Sequence, residues 1–352
     1  MNIALTKAEE FLFPTGVLDI AISGDEKQVF VACVDGAYRA TNNGKQQQRI
    51  VQHDSWVSGV GLLTADDQLV TAGYDGQIRF SSLTAQPREQ VVRAHAFWSW
   101  KMALSPDRQR VASVSGQYLA GSEDYQPSPA QEPTVKVYRC VDGELLAEFG
   151  MLPSVQAVAF HPDGVHVAAA NLMGDIAVWN VDTHDQVAAW RTPDFTSWGI
   201  IKSHCFIGGI HGLAFAHDGE SIYAVGMGDM RDPMAGNGRQ LWQCFRWRAN
   251  PPEKIGEIVK GQAGEGLMEA IAMHPSENWF VMAGRLRGGD WNAAIFSTED
   301  GNRLAHVNSE IRVTSAAFSP DGRKLYLAGM KNQPGPKDGR WPSWGVVQRY
   351  NL

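Results

Sequence analysis

The stretch Ala317-Phe318-Ser319-Pro320-Asp321-Gly322 closes one apolar run and opens the next. Ala159-Phe160-His161-Pro162-Asp163-Gly164 is nearly the same phrase. Its polar turn recurs at Ser23-Gly24-Asp25-Glu26, Thr64-Ala65-Asp66-Asp67 and Ser105-Pro106-Asp107-Arg108. Ala216-His217-Asp218-Gly219 and His274-Pro275-Ser276-Glu277 bring the total to seven copies. Apolar runs bounded by Ser, Pro, Asp and Gly are the signal of a strand, a tight turn and a second strand. The third turn position falls at residues 25, 66, 107, 163, 218, 276 and 321, so the steps are 41, 41, 56, 55, 58 and 45.

A step of ~40–45 residues is the length of one four-stranded propeller blade, and the longer steps read as the same unit carrying insertions. The fourth copy shows four strands, a to d from the inside outward, at residues 155–160, 166–170, 176–180 and 186–190. The expected fold is therefore all-β: a seven-bladed β-propeller of four-stranded antiparallel blades, with residues 1–352 as one domain. Only 31 residues follow Asp321, enough for strands b and c of the last blade but not d. Residues 3–13 precede the first strand a and are predicted to pair outside Val346 to Tyr350, so that blade 7 comprises about 3–13 plus 312–352. Closing the ring this way leaves only short, protected edges.

The phrase at 317–322 and its copy at 159–164 resemble the turn of the WD-repeat family. So do the aromatic–polar pairs ending strand c: Phe80-Ser81, Tyr138-Arg139, Trp179-Asn180, Phe296-Ser297 and Tyr350-Asn351. The repeats are degenerate. No blade carries a Trp-Asp pair, and the family's Gly-His pair before strand a is missing. Only His95, eleven residues before Pro106, stands where that histidine belongs. The spacing thus offers no complete His–Asp–Ser/Thr–Trp network. The resemblance implies a partner-binding, non-catalytic protein.

Composition agrees with a folded globular chain: 352 residues, 44% hydrophobic and 20% charged. The net charge of −7 and the lack of a basic run argue against nucleic acid as partner. Cys33, Cys140, Cys205 and Cys244 match no zinc spacing, which favours a reducing compartment. The first ten residues do not read as a signal peptide, and no apolar run has the length of a membrane span. A cytoplasmic location and no membrane contact are expected; the oligomeric state is not legible.

The insertions carry the functional signal. In this fold the b–c and d–a connections lie on one face, the top. Residues 115–133, 227–239, 284–291 and 330–344 are b–c connections, and 192–209 is a d–a connection. Long loops on a rigid scaffold are where binding residues gather, and Trp, Tyr and Arg are the types enriched at interface hot spots. The candidate contact residues are Tyr125, Trp198, Met230, Arg231, Arg285, Arg287, Trp291, Arg340, Trp341 and Trp344. Trp98 and Trp100 are read as core before contact, and Trp242 and Trp247 as core between blades.

No catalytic motif is present: neither a Gly-x-Ser-x-Gly elbow nor a phosphate loop occurs. His204, Cys205, His211 and His217 have a tempting spacing, but His217 belongs to a bottom turn and His204 to a top connection, about 20 Å apart at ~3.3 Å per residue. No metal and no cofactor are expected. The expected function is a protein- or peptide-binding scaffold using the top face. The alternative is a small-ligand or hydrolytic propeller with its pocket over the central channel, drawing on acids such as Asp229, Asp290 and Asp338.

Overall fold

The computed structural model describes all residues except 1–2, 42, 64–66, 85–87, 118–131, 153, 199–205, 233–236 and 339–341, and leaves aside the side chains of 196–198, 206–207, 230–232 and 237. Seven antiparallel sheets follow one another along the chain, as the seven turns require. Blades 1 to 4 span 17–51, 57–93, 101–149 and 155–191; blades 5 and 6 span 196–257 and 268–307. In blade 4 the strands are Val155–Phe160, His166–Asn171, Asp175–Asn180 and Gln186–Arg191. The middle two are buried almost throughout, whereas the outermost reads exposed and half-buried. This gradient explains the composition. Strands b and c are sandwiched between neighbouring blades and take small or branched apolar residues such as Ala168-Ala169-Ala170, while strand d meets water.

The ring closes as expected. Thr6–Phe13 pairs antiparallel with Gly345–Asn351, in a register running from Thr6 opposite Asn351 to Phe13 opposite Gly345. The sheet order places this strand outside the last three, so blade 7 takes its outer strand from the opposite end of the chain. Phe13 is fully buried and meets Tyr38 of blade 1 edge-on at 6.3 Å. Other blade boundaries are filled alike: Phe149 stacks on Trp179 at 5.0 Å, and Tyr223 lies 4.7 Å from Phe280. Each buried aromatic contributes roughly 1.5–3 kcal/mol.

The repeated turns show why their residues recur. Ser23, Ser105 and Ser319 each donate a hydroxyl to the Asp two residues on. That Asp then accepts the backbone N–H of Lys27, Gln109 or Arg323. The fourth position is left-handed: Gly164, Gly219 and Gly322 have φ of 70–73°, and Glu26 and Arg108 adopt 58° and 59°. Glycine is favoured there because it lacks the Cβ that clashes in this region.

Where the first turn residue is histidine, it reaches the next blade instead. His161 Nε2 donates to the Gly219 carbonyl at 3.0 Å, and His274 Nε2 to the Gly322 carbonyl at 2.9 Å. His217 Nε2 likewise bonds the His274 carbonyl. Blades 4 to 7 are therefore joined serially along the bottom.

Blade 5 departs from the expectation. Residues 227–239 were expected as a loop. Instead Ser221–Asp232 and Asn237–Arg246 continue as paired strands, with Met227 opposite Gln240 and Asp232 opposite Asn237. A third strand, Thr196–Trp198, pairs with the extended start of strand a at 206–208. The insertion is a β ribbon raised on the top face, where its backbone groups bond to each other.

Candidate interaction face at the channel mouth

Every strand a lines the central channel, so its polar residues converge on the axis. Lys101 of blade 3 reaches across, its Nζ donating to the carbonyls of Glu269 at 3.3 Å and Thr314 at 3.4 Å on blades 6 and 7. Two cavities of about 150 and 210 Å³ are both lined by Lys101, His211 and Glu269. Asp19 accepts the Val60 N–H at 3.0 Å and the Ser315 hydroxyl at 2.7 Å. Burial pushes its pKa up, against the pull of Lys101. Burial lowers the pKa of His211, so this imidazole is held neutral; its Nε2 donates to the Gly208 carbonyl at 3.1 Å.

Above the channel the top connections build an aromatic ridge. Trp56 stacks on Tyr74 at 5.5 Å, Tyr74 on Trp98 at 4.8 Å with planes 3° apart, and Trp98 on Phe97 at 5.1 Å. Trp100 meets Tyr74, Phe97 and Trp98 edge-on at 5.2–6.2 Å, and its Nε1 donates to the Gly116 carbonyl at 2.8 Å. Trp56 is 46% exposed and Trp98 42%, among the more exposed large apolar side chains of the described residues. Trp98, read from sequence as core, is therefore a surface residue; Trp100 is the floor beneath it.

A guanidinium borders the same cavity as Tyr74 of this ridge. Arg312 is bidentate on Glu269, with Nε to Oε1 and Nη2 to Oε2 both 2.7 Å. Its charge and that of Glu269 act on Tyr74, whose phenol is pushed up to about 12, chiefly by burial. Arg285 and Arg287 are exposed and make no side-chain hydrogen bond or ion pair with any described residue. The pKa of Arg285 is lowered, first by desolvation and then by Arg287 and Arg312.

The candidate contact residues are thus divided. Arg285 and Arg287 are exposed and unpaired among the described residues. Trp291 does not: it is 1% exposed, lies edge-on to Phe296 at 6.0 Å and donates Nε1–H to the Gln262 carbonyl at 3.2 Å. A side chain sealed in this way cannot serve as a contact residue. Trp344 is half-buried and covers Gly16, where a Cβ would come within 2.6 Å of its ring. It packs between the ends of blades 7 and 1. Tyr125, Arg340 and Trp341 lie outside the described residues, as do the side chains of Trp198, Met230 and Arg231. Trp242 and Trp247 are buried between blades, as expected.

Sequence reasoning missed Trp56, Tyr74, Lys101, Glu269 and Arg312 because it looked to long loops. A usable signal was present: Trp56 and Trp98 are 42 residues apart, one repeat step, in equivalent d–a connections.

The metal reading receives no support from the described part of the histidine region, with His211 and His217 each bonded to a carbonyl and His204 and Cys205 undescribed. One group with ligand-like spacing occurs among the described residues: His161, Asp163 and His166. Its atoms are already engaged. Asp163 accepts the N–H groups of Val165 and His166 and pairs with His166 Nδ1 at 2.7 Å. His161 Nδ1 accepts the Asp163 N–H while Nε2 serves Gly219.

One polar network corrects the sequence reading. His53 Nδ1 lies 3.0 Å from Asp75, and its Nε2 2.9 Å from Thr71 Oγ1, linking the connection before blade 2 to that blade. Asp75 also accepts the N–H groups of Asp54 and Gln77. Three of the four members of the family network are present, and Phe80 occupies strand c without an N–H to complete it. His53 was overlooked because it stands twelve residues before Ala65, one more than His95 before Pro106. His95 itself meets Ser113 Oγ at 3.1 Å but finds no carboxylate, and burial lowers its pKa to about 4.

Seven four-stranded blades and a strand from the N-terminal region that closes the ring define the class: the chain is a seven-bladed β-propeller, and the network at blade 2 is of the WD-repeat kind. The family model described as WD domain, G-beta repeat, matches residues 44–80, the segment that holds His53, Thr71 and Asp75. Among curated proteins, the chain is similar to U3 small nucleolar RNA-associated protein 4 homolog of Homo sapiens, 24% identical over 276 residues. That match covers 76% of this chain and 35% of the human protein, so the chain spans about a third of its relative. No helix among the described residues is long and apolar enough to cross a membrane.

Proposed function

We propose that the protein is a non-catalytic scaffold that holds a protein or peptide partner on its top face, over the channel mouth. The observation that carries this reading is the Trp56–Tyr74–Trp98–Phe97 stack, with Trp56 and Trp98 exposed, together with Arg285 and Arg287, exposed and unpaired among the described residues. Trp, Tyr and Arg supply most interface energy because they bury large areas and present several donors. The channel cavities, at about 150 and 210 Å³, are smaller than the ~300–1,000 Å³ usual for enclosed small-molecule sites. That favours a surface partner over a channel ligand. The human relative's name associates it with a small nucleolar RNA. A propeller of net charge −7 would join such an assembly through its protein components. The buried, unbridged thiols of Cys33, Cys140 and Cys244 support a reducing compartment for this work.

The test is affinity capture from native lysate, with and without ribonuclease, followed by mass spectrometry. Trp56→Ala/Trp98→Ala should lose the captured set, while the bottom-face change His166→Ala should keep it. Capture retained by the tryptophan pair, or lost on ribonuclease treatment, would overturn the proposal.

A further inference from the structure

We infer that the channel mouth selects peptide segments carrying an Asp or Glu within a few residues of a large apolar side chain. The carboxylate is taken by Arg285 and Arg287, and the apolar group packs on the ridge from Trp56 to Trp98. This rests on the top-face reading above and adds the chemistry of the partner.

Charge supplies the first argument. Arg285 feels the charges of Arg287 and Arg312, opposed by Glu269. Both oxygens of Glu269 are already taken by Arg312. Among the described residues Arg285 and Arg287 have no side-chain hydrogen bond or ion pair, on a chain that is acidic as a whole. Like charges held together without partners favour an incoming anion, and the planar fork of arginine suits a carboxylate in particular.

The geometry of the ridge supplies the second argument, and it decides between macromolecules. A nucleic-acid base would need an open ring face on which to stack. The faces of Tyr74 and Trp98 are covered: Tyr74 lies between Trp56 and Trp98, and Trp98 between Tyr74 and Phe97. Trp56 and Trp98 remain 46% and 42% exposed, a surface on which aliphatic and aromatic side chains can pack. Two exposed guanidiniums without a partner among the described residues are also few for a phosphate backbone, whose binding grows with each phosphate neutralised.

Contiguity supplies the third. Tyr74, Trp100, Leu267, Glu269 and Arg312 line one cavity, and the Arg285 N–H donates to the Leu267 carbonyl at 2.8 Å. Tyr74 of the ridge, Arg312 and the backbone neighbour of Arg285 therefore border the same opening. An extended peptide advances about 3.3 Å per residue, so side chains a few positions apart can serve both ridge and guanidiniums.

The experiment is selection of a phage-displayed twelve-residue random library on the immobilised full chain, run in parallel on Arg285→Ala/Arg287→Ala and Trp56→Ala/Trp98→Ala. Circular dichroism and melting verify that both variants are folded. The most enriched peptide, its Asn/Gln counterpart and twelve-residue oligouridylate are then measured by fluorescence anisotropy. We expect Asp or Glu beside Leu, Met or an aromatic residue, loss of enrichment on both variants, and at least tenfold weaker binding of the Asn/Gln peptide and of oligouridylate. Neutral apolar peptides that depend on the tryptophan pair but not the arginine pair would overturn the acidic selection and leave the top-face scaffold standing. Enrichment insensitive to both pairs, or none, would overturn both. Tighter, arginine-dependent binding of oligouridylate would replace the peptide by nucleic acid.

Discussion

Arg312 on the first strand of blade 7 grips Glu269 on the first strand of blade 6 through two parallel hydrogen bonds of 2.7 Å. The pair ties two blades at the channel mouth and sets the charge that Tyr74 and Arg285 feel. Glu269 is almost buried, whereas the arginine side chain is partly open to water. Arg312→Met should therefore strand a buried carboxylate and cost about 2–3 kcal/mol, somewhat below the cost of breaking a fully buried pair. Arg312→Met/Glu269→Gln should cost less than the two single changes together. Urea unfolding of the four proteins measures the coupling, and strict additivity would show that the pair is not acting as one unit.

The closing strand should be required for stability of the whole ring. Phe13→Ala removes a fully buried ring and should cost about 3–5 kcal/mol. Deletion of residues 1–13 should lower the melting temperature by at least ten degrees, roughly 5–7 kcal/mol for a chain of this size. An unchanged melting temperature would refute closure as a source of stability.

The bottom histidines make separable contributions. His161→Ala leaves the Gly219 carbonyl with Trp247 Nε1 as its donor, whereas His274→Ala takes the side-chain donor from Gly322. Each should cost about 1–3 kcal/mol, and the two should add because they share no partner. Equilibrium unfolding of the double variant tests the sum.

Acid should weaken the fold in a defined window. Glu10 of the closing strand is partly desolvated, which opposes ionisation, but bonds from Lys331, Lys7 and Gln348 prevail and hold its pKa at about 2. Asp75 is lowered too, with His53 overcoming desolvation. A folded pKa below the unfolded one gives stability that is present above the unfolded value, near 4–4.5, and is lost as pH falls through the folded value. The urea midpoint should start to fall below about pH 6.5, where the unfolded chain protonates His95 and His211 that the fold keeps neutral, and fall further towards pH 2 as the carboxylates take up protons. Glu10→Gln should cost less than about 1 kcal/mol at pH 7, since the site is partly solvated, and should make the acid decline shallower. An unaltered slope would assign the decline to other carboxylates.

Trp291→Ala separates core from contact. The side chain is sealed between blades, so the change should cost about 3–5 kcal/mol and should not selectively weaken partner capture at a temperature where the variant is folded. Lost capture with unchanged stability would return Trp291 to the interface.

The blade count and the closing strand were legible because both depend on local, repeated chemistry. A Ser or His, an Asp and a left-handed fourth residue make the same tight turn wherever they occur, and the strands on either side inherit their register from it. The core was legible for the same reason: Trp242 lies on the buried strand Asn237–Arg246 and Trp247 in the turn that follows it, both nearly sealed from water.

The interaction face was read only in outline. Arg285 and Arg287 lie exposed in the connection between strands b and c of blade 6, but Trp291, from the same connection, turned inward. Nothing in a residue's type or loop tells which way it turns; that depends on the space left by Phe296 and Gln262. His53 escaped for a smaller reason, one additional residue before its turn.

Seven turns and their spacing were thus enough for the sequence by itself to determine the number of blades, the strand order and the pairing of residues 6–13 with the last blade, because each follows from short-range turn chemistry and strand length. Only the tertiary structure decided what the ring brings to its axis. Trp56, Tyr74 and Trp98 become one stack, and Lys101, Glu269 and Arg312 face one another across blades 3, 6 and 7, because closing a sheet of blades places the start of every inner strand around one opening.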